Sequence, residues 1–306
     1  MNDKVSILLS IYRPQEEFLK KQLLSLNNQT YKNLELVVWN DCPDCEVDEE
    51  LFRSCITAFP YKIYNEHINL GYIKAFEKLV TLADGEYVCF CDQDDIWESE
   101  KIEECIRALK TEDAKVAVCD KSLMDENDKI YLSSVRHNSN WASDCWSTGD
   151  DISHRAIFFC YATGMSIHAK KSDIERFIPF VETTAHDRWL MAVLSAAGRA
   201  AYVDKPLVRY RRYGKNVTGV LNGVTSKKDY YVKRCDNTRL IAEFERHFPN
   251  HPFLDEIKKC NQARLSGNPF KLLKYRKYIP DLFIYEFLLA FCPNFLFGPL
   301  VRILFK

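Results

Sequence analysis

The sequence predicts an α/β protein: a mostly parallel central sheet flanked by helices, followed by a C-terminal helical appendage. Short apolar runs of strand length alternate with segments of helical spacing, and polar clusters repeatedly close the strands. Val5 to Ile11 reads as a continuous apolar strand, broken at Arg13-Pro14. The helix after it carries Phe18, Leu19, Leu23 and Leu26 on one face. Leu34 to Trp39 is a second strand, ending in the turn Asn40-Asp41-Cys42-Pro43-Asp44, and Tyr61 to Tyr64 is a short third. Beyond the loop Asn65 to Gly71, a helix shows the stripe Ile73, Phe76, Leu79 and Val80. Tyr87 to Cys91 is a buried strand, Ile102, Cys105, Ile106 and Leu109 mark another helix, and Val116 to Asp120 is one more strand. Strands alternating with helices of this length imply right-handed crossovers.

Composition narrows the class. At 306 residues, 47% hydrophobic and 28% charged, the chain has room for a core and two subdomains. A net charge of −1 gives no reason to expect a nucleic-acid partner. The N-terminus MNDKVSILLS enters a strand at once, so no secretory leader is expected. The twelve cysteines form no paired knuckles; Cys42-Pro-Asp-Cys45 is the one close pair, and a zinc site needs four ligands. Reduced cytosolic thiols packed as small hydrophobes are expected.

Three polar clusters fall at one sheet edge: Ser10-Ile11-Tyr12-Arg13, Asn40-Asp41, and Asp92-Gln93-Asp94-Asp95. That edge is where open α/β sheets bind ligands. Crowded carboxylates suit Mg²⁺ or Mn²⁺ shared with substrate phosphates, although the same residues would also cap a helix N-terminus. No Gly-x-Gly-x-x-Gly or Walker sequence occurs, which argues against a dinucleotide fold or a P-loop. A further carboxylate, Asp187, lies in the first turn of a helix whose Leu190, Val193, Leu194 and Ala197 face inward.

The ordered set VSILLSIYRP, VVWNDC, NLGYIKAFEKL, CDQDDIW, ATGMSIHAKK, His186-Asp187-Arg188 and YRRYGKNVTG resembles the family 2 glycosyltransferases of GT-A fold, over roughly residues 3 to 220. Among them it looks like the bacterial rhamnosyltransferase type. The resemblance implies that Ser10, Tyr12 and Arg13 border the nucleotide, with Tyr12 stacked on the base. Asp41 would accept the imide N–H of uracil or thymine. Asn69, Gly71 and Lys74 would lie near ribose and diphosphate. Asp94 would bind Mg²⁺ or Mn²⁺ directly, while Asp92 would contact ribose or a metal-bound water, with Gln93 beside them. Asp187 would be the general base of an inverting transfer. Trp97, Thr163, Gly164, His186 and Arg188 would surround acceptor and sugar, and Arg211, Arg212 and Lys215 would clamp the diphosphate.

One departure from the family stands at Tyr213, where a histidine often serves as a further metal or diphosphate contact; the third metal ligand is left open. Gly164 is expected to leave room for the acceptor sugar. Residues 121–157, with His137, Trp141, Trp146 and His154, are expected to form an acceptor-specificity loop. The implied function is inverting, metal-dependent transfer of L-rhamnose from dTDP-rhamnose, or of a hexose from a UDP-sugar, onto a lipid-linked bacterial glycan. A binding module without turnover would have lost a carboxylate, and this chain keeps Asp92, Asp94 and Asp187. The division expected is 1–120 for the nucleotide sugar, 121–220 for the acceptor and 221–306 for the appendage. From Lys258 to Lys277 there are seven basic residues and no acidic one, and the apolar stretch Phe287 to Val301 is too short and proline-broken to span a bilayer. That region suits a membrane surface, a cover on the core or a homodimer contact. A cytoplasmic protein, peripheral at the inner face of the cell membrane, is expected.

Overall fold

The structure is a computed structural model that describes residues 3–139, 145–213, 224 and 226–297. The strands are β1 (Val5–Ile11), β2 (Leu34–Asn40), β3 (Tyr61–Tyr64), β4 (Tyr87–Cys91), β5 (Ile96–Trp97), β6 (Val116–Met124), β7 (Ile130–Leu132), β8 (Ile167–Lys170) and β9 (Ala200–Arg211). Helices α1 (Glu16–Asn27), α2 (Glu49–Cys55), α3 (Tyr72–Leu82) and α4 (Lys101–Thr111) connect the first six. Later come α5 (Val135–Asn138), α6 (Ser153–Ala156), α7 (Lys171–Glu175) and α8 (His186–Ala197). The C-terminal region holds α9 (Lys227–Tyr230), α10 (Thr238–His247), α11 (Leu254–Leu265), α12 (Pro269–Lys274) and α13 (Pro280–Phe291).

The sheet runs β3-β2-β1-β4-β8-β6-β9-β5, with β7 paired to β6. It is mixed rather than mostly parallel: β8 runs antiparallel to both neighbours, and β5 and β7 are antiparallel to theirs. The reason is the connection after β6. Among the described residues it carries a hairpin and short helices but no helix returning the chain to the opposite edge. The chain therefore re-enters the sheet at the carboxyl edge, and β8 must run away from it. Strands β1, β2, β4, β6 and β9 share one direction, so their carboxyl ends lie along a single edge.

Alternation along β1 builds two cores. Leu8 packs with Val37, Phe90, α3 and α8, while Val5, Ile7 and Leu9 pack with α1, α2 and α4 on the other face. Each such buried aliphatic side chain contributes roughly 1.5–3 kcal/mol. The predicted inward stripes of α1 and α4 are buried throughout, and all twelve cysteines are free thiols. Strand β9 escaped sequence reading because Pro206 interrupts it. Its pairing with β6 steps from Cys119↔Val203 to Asp120↔Pro206, so the proline sits at a bulge where no ladder N–H is required.

Much of segment 121–157 is ordered rather than a polar loop. β6 extends to Met124, Trp146 is buried with its Nε1 donating to the Tyr161 carbonyl at 3.0 Å, and His154 packs on Phe253 at 4.6 Å. Trp141 lies outside the described residues. The C-terminal helices are anchored by a buried Arg264–Glu286 ion pair of 2.5 Å and by Arg155 to Asp281 at 3.2 Å. Among the described residues no helix is long and apolar enough to cross a membrane.

Candidate active site

Each site residue follows from where its strand ends. Tyr12, just past β1, leaves its ring exposed, with the Arg13 guanidinium 5.5 Å from the ring centroid. Arg13 takes a left-handed φ of 43°, a conformation rare for a side chain of this size. Gln93 is not free for a nucleotide. Its Oε1 accepts from the Tyr12 N–H at 2.8 Å and its Nε2 donates to the Tyr12 carbonyl at 3.2 Å. It therefore ties the ends of β1 and β4 together. Ser10 is half-buried on β1, opposite Trp39.

Asp41 is buried at the end of β2, and its carboxylate is already occupied. It accepts from Leu70 N–H at 2.6 Å, Gly71 N–H at 3.0 Å and Trp39 Nε1 at 3.2 Å. The exposed Asn69 also accepts from Gly71 N–H at 3.0 Å. Gly71 opens α3 with φ 74°, and a Cβ there would meet nothing within 4 Å, so backbone conformation rather than space demands glycine. Lys74 turns toward carboxylates, 3.1 Å from Glu77 and 3.5 Å from Glu182, and not toward the strand ends.

The acidic cluster divides its labour. Burial, reinforced by the charges of Asp94 and Asp187, raises the Asp92 carboxyl to about 7, with the Lys101 ammonium opposing. Burial also raises Asp94, whose Oδ2 accepts from the Tyr213 hydroxyl at 2.8 Å. Asp95 faces inward and accepts from Arg211 N–H at 2.9 Å, locking β9 to the turn. Two carboxylates whose ionisation burial disfavours, Asp92 and Asp94, form an oxygen donor set suited to a hard divalent cation. Among the described residues no three His, Cys, Asp or Glu side chains are arranged to hold a metal ion. Asp92 and Asp94 are the residues that would hold Mg²⁺ or Mn²⁺, and two carboxylates leave room for other oxygen ligands on such an ion.

Asp187 lies in the first turn of α8, and its Oδ1 accepts from Arg188 N–H at 2.6 Å. Ninety-five positions separate it from Asp92 in the chain, yet its charge is among those that raise Asp92. His186 before it is buried, its ring 4.4 Å from Phe76 and 5.1 Å from Phe90, with neither nitrogen bonded among the described residues. Burial lowers its pKa and keeps it neutral, although Asp187 pulls the other way. Gly164 makes this possible: a Cβ there would sit 2.8 Å from His186 Nε2. The space left by the glycine is thus filled by a histidine ring and not by substrate. Thr163 is half-buried beside it and bonds to Ser166.

Three expected contacts are corrected. Trp97 is buried in the core with Lys101 Nζ 2.9 Å from its ring centroid, so it walls no acceptor site. Arg211 is fully buried, bonded to the Asp94 and Asp125 carbonyls and 2.6 Å from Asp128, which uses it as a brace and not a diphosphate clamp. Arg188 donates to the Ile157 carbonyl and the Asn237 side chain, tying α8 to the C-terminal region. Arg212 is half-buried at the end of β9, its N–H donating to Met124 at 2.9 Å, and Lys215 lies outside the described residues. Sequence reading also overlooked Tyr72, whose exposed ring meets His186 edge-on at 6.1 Å, and the buried Lys101 beneath the acidic turn. Lys101 had one available signal, a cation in the apolar phase of a helical stripe.

The sequence pattern of glycosyl transferase family 2 matches residues 6–172. An uncharacterized glycosyltransferase of Haemophilus influenzae is 24% identical over 239 residues, covering 75% of this chain and 72% of that protein. Glycosyltransferase GlyA of Streptococcus pneumoniae is 28% identical over 131 residues, 43% of this chain, and the match spans only 18% of the longer protein. Among solved structures, TarS of S. aureus with UDP-GlcNAc superposes with a TM-score of 0.59 at 15% identity, covering 94% of this chain and 79% of that one. The mannosyltransferase PcManGT of Pyrobaculum calidifontis, in complex with GDP-Man and Mn²⁺, gives a TM-score of 0.56 at 16% identity, with 99% and 79% covered.

Proposed function

The chain belongs to glycosyl transferase family 2, and from that premise we propose an inverting, metal-assisted transfer of a sugar from a nucleotide diphosphate to an acceptor hydroxyl. The observation that supports the reading is that Asp92 and Asp94 follow β4 at the carboxyl edge of the sheet and that the charge of Asp187, in the first turn of α8, reaches Asp92. Asp92 and Asp94 would hold Mg²⁺ or Mn²⁺, which would supply charge neutralisation to the leaving diphosphate. Asp187 takes the proton of the attacking hydroxyl. Tyr213 orients Asp94, taking a supporting place where a direct ligand was open. Tyr12 offers the base a stacking face. Asp41 has already spent three acceptor positions on loop and indole N–H groups and has capacity for one more donor, the imide N–H of uracil or thymine.

The donor we favour is dTDP-L-rhamnose, on the likeness of CDQDDIW and HDRWL to rhamnosyltransferases. A UDP-hexose is the second reading, supported by the likeness in fold to a protein bound to UDP-GlcNAc. The acceptor is a growing glycan on a lipid carrier at the cytoplasmic face of the membrane. A thermal-shift panel of dTDP-rhamnose, UDP-glucose, UDP-galactose, UDP-GlcNAc and GDP-mannose, with and without Mn²⁺, tests the donor. A donor that binds the native state raises Tm by mass action. A Mn²⁺-dependent shift with dTDP- or UDP-sugars is expected, and a response to GDP-mannose alone would remove Asp41 from base recognition.

A further inference from the structure

Helix α13 turns its charges inward and its apolar residues outward. Asp281 accepts from the Tyr161 hydroxyl and from Arg155 at 3.2 Å, and Glu286 is buried against Arg264. No charge is left for the outer face. That face carries Ile284, Leu288 and Phe291, one turn apart and 63%, 50% and 59% exposed, continued by Phe295 at 79%. On α12, Phe270 is 74% exposed and its ring lies 6.4 Å from that of Phe291, so the two helices present one apolar surface. Monomeric proteins seldom leave so many large apolar side chains together in water.

The basic run from Lys258 to Lys277 divides on folding. Lys258 pairs with Glu245, Lys259 with Glu256 and Arg264 with Glu286. Lys271, Lys274, Arg276 and Lys277 are exposed and, among the described residues, make no ion pair. These four lie on α12 and the turn after it, alongside Phe270 and the exposed Leu273.

We propose that the α12–α13 face docks on a bilayer rich in anionic phospholipid, with the outer stripe of α13 set into the interface and the four unpaired cations over the headgroups. Charge decides between a bilayer and a second copy of the chain. A two-fold dimer through this face would set the same cationic rim against itself, whereas anionic headgroups neutralise it. Docking also bears on catalysis. The inner side of α13 holds Tyr161 through Asp281, two residues from Thr163, so the membrane-facing helix braces the segment that leads into β8 beside His186. That last consequence rests on the transferase reading; docking itself does not.

The test is co-sedimentation of the full chain with phosphatidylglycerol/phosphatidylcholine vesicles and with pure phosphatidylcholine vesicles. The anionic vesicles are expected to bind the protein and the neutral ones to leave most of it in solution. The variant I284S/L288S/F291S should lose most of the binding. The variant K271Q/K274Q/K277Q should partition roughly fivefold more weakly for each lysine neutralised. All six positions are exposed, so an unchanged Tm is expected and certifies the fold. Transfer to a water-soluble acceptor reports the reaction separately and should survive both variants. Failure of the wild-type protein to bind anionic vesicles would overturn docking, as would equal binding of all three proteins. A concentration-dependent dimer abolished by I284S/L288S/F291S would assign the face to a second copy instead.

Discussion

The two halves of the sheet meet at one edge but are built differently. From β1 to β4, strand and helix alternate in units of about 30 residues, and the side chains that close each strand hold neighbouring loops: Gln93 to Tyr12, Asp41 to Leu70 and Gly71. From β6 to β9 the chain doubles back, and its site residues are fixed by long-range packing: His186 against Gly164, Arg188 against Asn237, Arg211 against Asp125 and Asp128. The first half is a set of short local constraints. The second depends on parts of the chain that come together only in the finished fold.

On that contrast, substitutions in the second half should spoil turnover while sparing nucleotide binding, except at Tyr213, which reaches back to Asp94, and those in the first half should weaken the nucleotide or metal itself. Asp187→Asn has the largest expected effect: loss of a general base costs roughly 10²–10⁴-fold in kcat, with donor nucleotide affinity nearly unchanged. Retention of more than about a tenth of wild-type kcat, against that range, would move the base elsewhere. Gly164→Ala forces a methyl onto His186 Nε2. It should lower kcat sharply and stability by roughly 1–3 kcal/mol, as overpacking does, read from a denaturant melt. Tyr213→Phe removes the hydrogen bond to Asp94. Because groups supporting a ligand typically govern metal affinity by about 10–100-fold, Mn²⁺ binding should weaken into that range, with a smaller loss for nucleotide measured without metal.

The smallest effect is a fraction of a proton. Asp92, raised to about 7 by burial and its neighbours, is partly protonated at neutral pH. A cation favours the ionised form, so Mn²⁺ should release protons near pH 7 and progressively fewer as pH rises above that value. Calorimetry in buffers of different ionisation enthalpy reads this directly. A release that does not change with pH would mean that Asp92 is ionised before the metal arrives.

The same contrast explains what could be read from residues alone. Strands β1 to β4 and helices α1, α3 and α4 were legible because each is a local periodic pattern, and the carboxylates Asp92, Asp94 and Asp187 stood at the ends of such patterns. β8 was not, because its four residues take their direction from the course of the preceding chain. β9 was hidden by Pro206, which reads as a strand breaker until the bulge is seen. Misplaced side chains share a cause too. Trp97, Arg188 and Arg211 are large and polar-tipped, and sequence cannot say which way they turn. The structure turns all three inward, Trp97 under Lys101, Arg188 onto Ile157 and Arg211 onto Phe18.

Gln93 carries a consequence for how this sequence can drift. Its amide both accepts from and donates to the backbone of Tyr12, a reciprocal pairing that few side chains can reproduce. Glutamate, the nearest neighbour in shape, could accept but not donate while ionised, and would add a negative charge beside Asp92, Asp94 and Asp95. Asparagine is a methylene too short. Descendants of this chain can therefore vary freely at exposed neighbours such as Ser99, while position 93 stays glutamine or changes only together with the loop that follows β1.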